Sequence, residues 1–323
     1  MKRIGLITSG GDAPGMNACI RAITKYCLNI GIVPIGFFDG YQGIIENRCL
    51  ELGFTDVNNI IHQGGTILGT ARSEEFRTAQ GRSKAIGNLL SNKIDALICI
   101  GGDGTFAGAN VLSEEMNIPV IGIPGTIDND ISGTDHSIGY DTALNTVIDA
   151  IDKIRDTASS HHRIFFVEVM GRDAGYIALH SGIATGAENI LIPETKTDMN
   201  ALITALTEKE KRKKLVNLIV VAEGDEFGGG TQVGNFLKDK LPNADIRVCI
   251  LGHIQRGGAP SCLDRLIASR MGYHAVECLL NGTHNVMVGI EDNKLKYTPL
   301  DNAVKAKQKI SQDWFKIVKI LAS

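Results

Sequence analysis

Two aspartates stand two residues apart in Pro124-Gly125-Thr126-Ile127-Asp128-Asn129-Asp130, directly after the apolar run Ile118-Pro119-Val120-Ile121-Gly122-Ile123. A strand tip with one carboxylate able to take a proton and another near a metal is what phosphoryl transfer to an alcohol requires. Asp and Asn also favour surface turns through bonds to their own backbone. On this segment alone the two readings weigh equally.

A second segment, Gly101-Gly102-Asp103-Gly104-Thr105, falls between an expected strand and an expected helix. Glycines there let backbone N–H groups approach a polyphosphate, and the helix N-terminus favours its charge. Asp103 supplies the hard oxygen that Mg²⁺ takes beside phosphates. No Lys-Ser/Thr follows at Walker spacing. Gly10-Gly11-Asp12 offers another backbone cradle. A phosphate-bearing second substrate needs cations. His253 and Arg256 lie three apart after an expected strand, Arg163 and Arg247 immediately precede strands, and Arg172 follows one. Arginine suits bidentate phosphate binding. Arg72, at the end of the glycine-rich stretch 64–72, could stabilise charge on a transferring phosphoryl group. Singly, each is more often a surface residue, and His253 more often a core histidine; their shared location at strand ends shifts the balance.

The elements that must position these residues alternate. Strands are expected at 4–7, 96–100, 118–123, 164–169, 218–222 and 248–251. Helices are expected at 16–28, 106–116, 143–158, from about 174, and from 198. Leu144, Val147, Ile148, Ile151 and Ile154 share one face of the third, and Met199, Leu202, Ile203 and Leu206 form the stripe of the last, which the basic run 209–214 closes. Near-continuous apolar strands alternating with helices imply parallel sheets covered on both faces. Each strand runs into a glycine-rich or charged loop, at the end where ligands bind in open α/β sheets.

The bulk properties set limits. The chain has 323 residues, 43% hydrophobic and 21% charged, with net charge −3. That length suggests two domains. The charge balance and the 5% aromatic content argue against nucleic acid as a partner. The seven cysteines are scattered and never in C-x-x-C, which fits reduced thiols, with Cys99 and Cys249 in the core. No apolar run is long enough for a bilayer or a signal peptide, so a cytoplasmic location and no membrane partner are expected.

Taken in order, TSGGDAPGMNACIR at 8–21, GGTILGTAR at 64–72, GGDGT at 101–105, PGTIDND at 124–130, MGRDAG at 170–175 and LGHIQRGG at 251–258 resemble the bacterial ATP-dependent 6-phosphofructokinases. A bare Gly-Gly-Asp-Gly also occurs in NAD kinases and lipid kinases, but those families do not explain PGTIDND or HIQRGG. The resemblance implies two Rossmann-like three-layer α/β/α domains with mostly parallel sheets and an active site in the cleft between them. The larger, ATP-binding domain would span 1–138 plus about 254–304, and the smaller, fructose 6-phosphate domain 139–253 plus about 305–323. Asp128 would be the general base toward the sugar 1-hydroxyl, with Arg72, Thr126 and Arg172 also catalytic. Gly11, Tyr41, Arg72, Ser73, Gly102, Asp103, Gly104, Thr105 and Gly108 would bind ATP. Thr126, Ile127, Asp128, Met170, Gly171, Arg172 and Glu223 would bind the sugar. Arg163, Arg247, His253 and Arg256 would take its 6-phosphate, the first two from a neighbouring subunit of a homotetramer. Asp103 and Asp130 would attend Mg²⁺. Pyrophosphate-dependent relatives tend to carry Asp and Lys where Gly104 and Gly125 stand here, which implies ATP as donor. The alternatives are a pyrophosphate-dependent enzyme and a non-catalytic nucleotide-sensing subunit; intact Asp103, Asp128, Arg72 and Arg172 argue against the latter.

One family feature is incomplete. The allosteric site for ADP or phosphoenolpyruvate is matched by Arg21, Arg155, Gly186, Glu188 and Lys214, with Arg212 for a usual Lys and Lys25 for a usual Arg. Phe54 stands where an effector-binding Arg is typical, Asn59 replaces an Asp, and Leu215-Val216 replaces Lys-His. Each lost phosphate partner removes roughly 1.5–3 kcal/mol of charge-assisted bonding. Weak or altered regulation is expected.

Overall fold

A computed structural model describes residues 1–161, 163–211 and 217–321. In chain order the elements are β1 (Arg3–Ser9), α1 (Met16–Asn29), β2 (Val33–Phe37), α2 (Tyr41–Ile45), β3 (Cys49–Glu51), α3 (Ala79–Ser91), β4 (Ala96–Gly101), α4 (Asp103–Met116), β5 (Val120–Pro124) and α5 (Tyr140–His161). Then follow β6 (Ile164–Val169), α6 (Tyr176–Ala184), β7 (Asn189–Leu191), α7 (Met199–Lys211), β8 (Asn217–Ala222), α8 (Gly229–Lys240), β9 (Ile246–Ile250), α9 (Cys262–Leu280), β10 (Val286–Glu291), β11 (Lys294–Pro299), α10 (Leu300–Lys305) and α11 (Gln312–Leu321). The chain divides into two compact units. One comprises Met1–Ile127, Ile131–Thr142 and Arg256–Gln308; the other comprises Asp128–Asp130, Ala143–Gln255 and Lys309–Ser323.

The first unit is built on a seven-stranded sheet in the order β11-β10-β5-β4-β1-β2-β3. Its central pairs are parallel, and β3 and β11 close the two edges antiparallel. Every residue of β4 and β5 is buried, as expected for strands covered on both faces. Ile7, Ile35, Phe37, Leu97, Cys99 and Val120 form one core cluster with Phe106, Leu112 and Leu300 from the helices. Leu6, Ile98, Ile100, Ile121 and Ile123 alternate with these along the strands and are equally buried. On α9, a Cβ at Gly272 would come within 2.9 Å of the Cys19 carbonyl of α1, so these helices pack backbone to backbone.

The second unit carries a parallel four-stranded sheet, β7-β8-β6-β9. Phe166, Ile219, Val221 and Ile246 pack under Leu202 and Leu206 of α7 and Val233 and Leu237 of α8. Mostly parallel sheets in a two-unit α/β chain agree with the expected fold class.

Several local expectations shift. Helix α4 starts at Asp103 rather than 106, and Gly102 is its N-cap, so the glycine motif becomes the helix's first turn. Asp198 precedes α7 as a cap, its carboxylate accepting from the amides of Asn200 and Ala201. Strand β9 begins at Ile246, so Arg247 lies inside the strand instead of before it. Cys249 is only half-buried, because β9 is an edge strand; Cys99 is fully buried, and all seven thiols are free. The hairpin β10–β11 is not anticipated, although Asp292 and Asn293 both take positive φ, the pairing a type I′ turn needs. Among the described residues no helix is long and apolar enough to cross a membrane.

Candidate active site

In the first unit the chain leaves β1 for β2 and β3 on one side, then returns to β4 on the other. Strand order therefore reverses between β1 and β4, the kind of switch point where α/β sheets bind ligands. Ser9 pairs with Gly101 at the ends of the two strands, so both glycine loops start level. The Thr105 hydroxyl donates to the Ser9 carbonyl at 3.0 Å. Gly102, Asp103, Gly104 and Thr105 open α4, with Asp103 and Gly104 exposed and the Asp103 carboxylate accepting from the Gly104 amide at 2.7 Å. First-turn amides of this kind have no helical partner and attract anions.

The neighbouring loops are pinned to this edge. Thr70 donates to the Gly10 carbonyl at 2.8 Å, and Thr8 to Gly69 at 2.7 Å. Asn17, buried on α1, donates to the carbonyls of Gln63 and Gly64 and accepts from the Ile67 amide. These bonds hold the 64–72 stretch beside the first glycine loop and leave Arg72 exposed at its end. Ser73 is bonded to Gln42 and accepts from the Phe76 amide. Tyr41 is buried, stacks on Phe76 at 4.1 Å, and donates to the Thr105 carbonyl. Burial pushes its hydroxyl well above the usual phenol range. A Cβ on Gly108 would strike the Tyr41 ring at 2.8 Å, so Tyr41, Thr105 and Gly108 make one packed floor.

Arg256 belongs to this first unit, whereas His253 belongs to the second. Its guanidinium donates to the Asp12 carbonyl at 3.2 Å and lies over Gly11, where a Cβ would come within 2.4 Å of Nη1. A side chain at this position would displace the flexible end of Arg256.

Strand β5 leads into the aspartate loop. The Gly125 amide donates to the Gly101 carbonyl at 3.0 Å, placing this loop next to the Gly-Gly-Asp-Gly turn. Ile127 and Asn129 are buried, and Thr126, Asp128 and Asp130 are half-buried. Asn129 takes φ 53°, a left-handed conformation that Asn tolerates. Thr126 and Ile127 group with the first unit and Asp128, Asn129 and Asp130 with the second.

In the second unit the order reverses between β6 and β9. The Met170 amide donates to Gln255 at 3.1 Å, and Gln255 donates to the Gly252 carbonyl at 2.9 Å. Arg172, at φ 53°, donates its amide to the Glu223 carboxylate at 2.8 Å. Met170, Gly171, Arg172, Glu223 and His253 thus all follow the carboxyl ends of three adjacent strands. Arg163 and Arg247 do not join them. Both sit at the amino ends of β6 and β9, paired with Asp245 at 2.7 and 2.9 Å. Six residues of β6 at about 3.3 Å each separate the two groups by about 20 Å. The bond to Arg163 holds the Asp245 carboxyl below the usual carboxylate range.

The effector set is also divided. Arg21 and Lys25 lie one turn apart on α1 in the first unit, and Phe54 is 51% exposed there. In the second unit Arg155 donates to the carbonyl of Thr185, and buried Glu188 accepts from the Leu218 amide. Gly186 follows Thr185. Arg212 and Lys214, with Leu215 and Val216, lie outside the described residues. Gln255, Asn17, Asp245 and buried Asp264 are structural anchors that sequence reasoning did not single out. Each has at least one partner tens of residues or more away, beyond any local signal.

Glycine amides at a helix N-terminus, set at a strand-order switch point, define the first unit as an anion-binding α/β fold. The family model described as phosphofructokinase matches residues 3–279, and the chain belongs to that family. It is 50% identical over 322 residues, spanning all of both chains, to ATP-dependent 6-phosphofructokinase 1 of Thermus thermophilus. It is 47% identical to ATP-dependent 6-phosphofructokinase 2 of Bacteroides thetaiotaomicron, covering 100% of this chain and 99% of that one. The solved phosphofructokinase of Saccharomyces cerevisiae superposes with a TM-score of 0.90 at 36% identity. This chain is covered fully and spans about half (48%) of the yeast chain.

Proposed function

We infer that this protein is an ATP-dependent 6-phosphofructokinase, moving the ATP γ-phosphate to the 1-hydroxyl of fructose 6-phosphate. The observation that carries the reading is the full-length, half-identical match to bacterial enzymes of that name. Gly104 and Gly125 support ATP over pyrophosphate. Gly104 faces open space, while a Cβ at Gly125 would already press Ile100 and Met16 at 3.1 Å, leaving little room for a lysine.

In this reading the first-turn amides of α4 and Gly11 bind the nucleotide phosphates, and Arg72 steadies the group in transfer. Asp128 takes the hydroxyl proton, and Thr126, Arg172 and Glu223 hold the sugar. Asp103 suits Mg²⁺, which uses one or two carboxylates alongside substrate phosphates, and Asp130 is assigned beside it. When bound, the divalent ion neutralises charge between the phosphates. Arg163 and Arg247, about a strand length from Arg172, serve the 6-phosphate site of a neighbouring copy in a homotetramer. Exposed Ile250 (55%) and Ile254 (58%), at and beyond the carboxyl end of the same edge strand, favour such an interface. The enzyme works in the cytoplasm, with the first unit as the ATP domain and the second as the sugar-phosphate domain. Control by ADP and phosphoenolpyruvate is weak, since Phe54 offers no phosphate bond.

The deciding experiment assays fructose 6-phosphate phosphorylation with ATP and with pyrophosphate. Turnover with ATP is expected; turnover with pyrophosphate alone would reverse the donor assignment. Saturation curves with each effector should stay nearly unchanged, and a large micromolar response to both would refute weak control.

A further inference from the structure

Asp264 is fully buried near the start of α9, and among the described residues amides and a hydroxyl, not a cation, are the partners that hold its carboxylate. Its Oδ1 accepts from the Gly139 amide at 2.8 Å, and its Oδ2 from the Thr142 amide at 2.8 Å and the Thr142 hydroxyl at 2.5 Å. Gly139 immediately precedes α5 and Thr142 lies in its first turn, so the carboxylate sits on that helix's positive end. The staple is reciprocal. The Thr142 hydroxyl accepts from the Ser261 amide at 2.9 Å, and the Ser261 hydroxyl caps α9 by accepting from the Asp264 amide at 3.2 Å. Burial pushes the Asp264 carboxyl up, and the hydroxyl and amide donors pull it back only in part.

The segment that Asp264 clamps is the one that holds the aspartate loop. Ile138, next to Gly139, donates its amide to the Pro124 carbonyl at 2.9 Å and bridges Gly125. Ser137 donates its hydroxyl to the Thr126 carbonyl at 2.6 Å. The same segment abuts the first glycine loop. A Cβ on Gly139 would meet Ala13 at 2.6 Å, and one on Gly15 would meet Ile138 at 2.7 Å and Asp264 at 3.5 Å. One carboxylate therefore reaches, through consecutive bonds, the stem that delivers Thr126 and Asp128.

We propose that Asp264 is a positioning residue for the reaction: through residues 137–142 it fixes the stem from which Thr126 and Asp128 address the sugar hydroxyl. The assignment rests on the phosphofructokinase reading. An apolar residue of similar size could fill the space but could not hold three donors in one register, and buried polar networks select a single arrangement in this way. Asparagine fails too, because its amide would point a donor at a donor.

The test compares Asp264→Asn, Ser137→Ala, Thr142→Val and Thr142→Ser with wild type in steady-state kinetics, melting temperature and hydrogen exchange. Asp264→Asn should lower kcat at least ten-fold while the KM for ATP stays within two-fold. Exchange across 124–130 should quicken at least ten-fold while β1 and β4 stay protected. Thr142→Val should move in the same direction, and Thr142→Ser, which keeps the hydroxyl, should recover most of the rate. Ser137→Ala, which cuts only the last link, supplies the answer if Asp264→Asn does not fold. A lowered melting temperature with kcat and loop exchange both at wild-type values would overturn the proposal. A wild type inactive on fructose 6-phosphate would instead overturn the functional reading, and the exchange result would still decide whether Asp264 holds the loop.

Discussion

Gly104→Asp tests the donor assignment at a single position. A Cβ at Gly104 meets nothing within 4 Å, so the substitution adds charge without a clash. It falls in the first turn of α4, where an added carboxylate is favourable by about 0.3–1 kcal/mol. The fold should therefore hold or gain slightly. A phosphate seated on these amides would lie roughly 6 Å from the new carboxylate. At an effective dielectric of about 20 the repulsion is about 2.8 kcal/mol per unit charge. Screening with a Debye length of about 8 Å halves it to about 1.3 kcal/mol, close to a ten-fold loss of affinity. The assay varies ATP at saturating fructose 6-phosphate for wild type, Gly104→Asp and Gly104→Asn. The Asp variant should raise the KM for ATP about ten-fold or more, the Asn variant only two- to three-fold, and added salt should narrow the gap. Equal KM values for all three proteins at low salt would refute a nucleotide phosphate at this helix end.

Other outcomes follow from the same geometry. Asp128→Asn should lower kcat by about 10²–10⁴-fold while calorimetry still detects fructose 6-phosphate binding; a variant within ten-fold of wild type would place the base elsewhere. Phe106→Ala empties the first unit's core beneath Gly122 and Leu300 and should cost about 3–5 kcal/mol in urea unfolding. For Asp245, the folded carboxyl titrates below its ordinary 3.8, so its contribution to stability is present above that pH and lost as pH falls through the lower folded value. The melting-temperature gap between wild type and Asp245→Asn should thus close on acidification below pH 3.8, and a gap independent of pH would refute the pairing.

Much of the architecture was legible because it is written locally. The apolar run 96–100 lies between a polar approach and Gly101-Gly102, and it folds as the fully buried β4. Alternation in 143–158 marked a helix whose Ala143, Val147 and Ile151 are buried, while Leu144, Ile148 and Ile154 are only half-buried. Helix α4 began early because free first-turn amides tolerate glycine, which propensity alone penalises. The edge strands β3 and β11 carry little apolar signal, with exposed Leu50, Glu51 and Lys294, and so escaped notice.

By itself the sequence determined the strand–loop–helix grammar, the residue types at each strand tip and the family to which their order belongs. Those features reside in runs of a few residues, whose backbone and burial preferences act at short range. Only the tertiary structure decided which tips adjoin, because strand order is set by long-range pairing. It put the loops after β1, β4 and β5 side by side, and it laid Arg256 across Gly11. It sent Arg163 and Arg247 to the far end of their sheet from Arg172, where strand direction, not residue type, determines what they can reach. It also placed Asp264, whose neighbours Gly139 and Thr142 lie more than a hundred residues away, at the base of the aspartate loop.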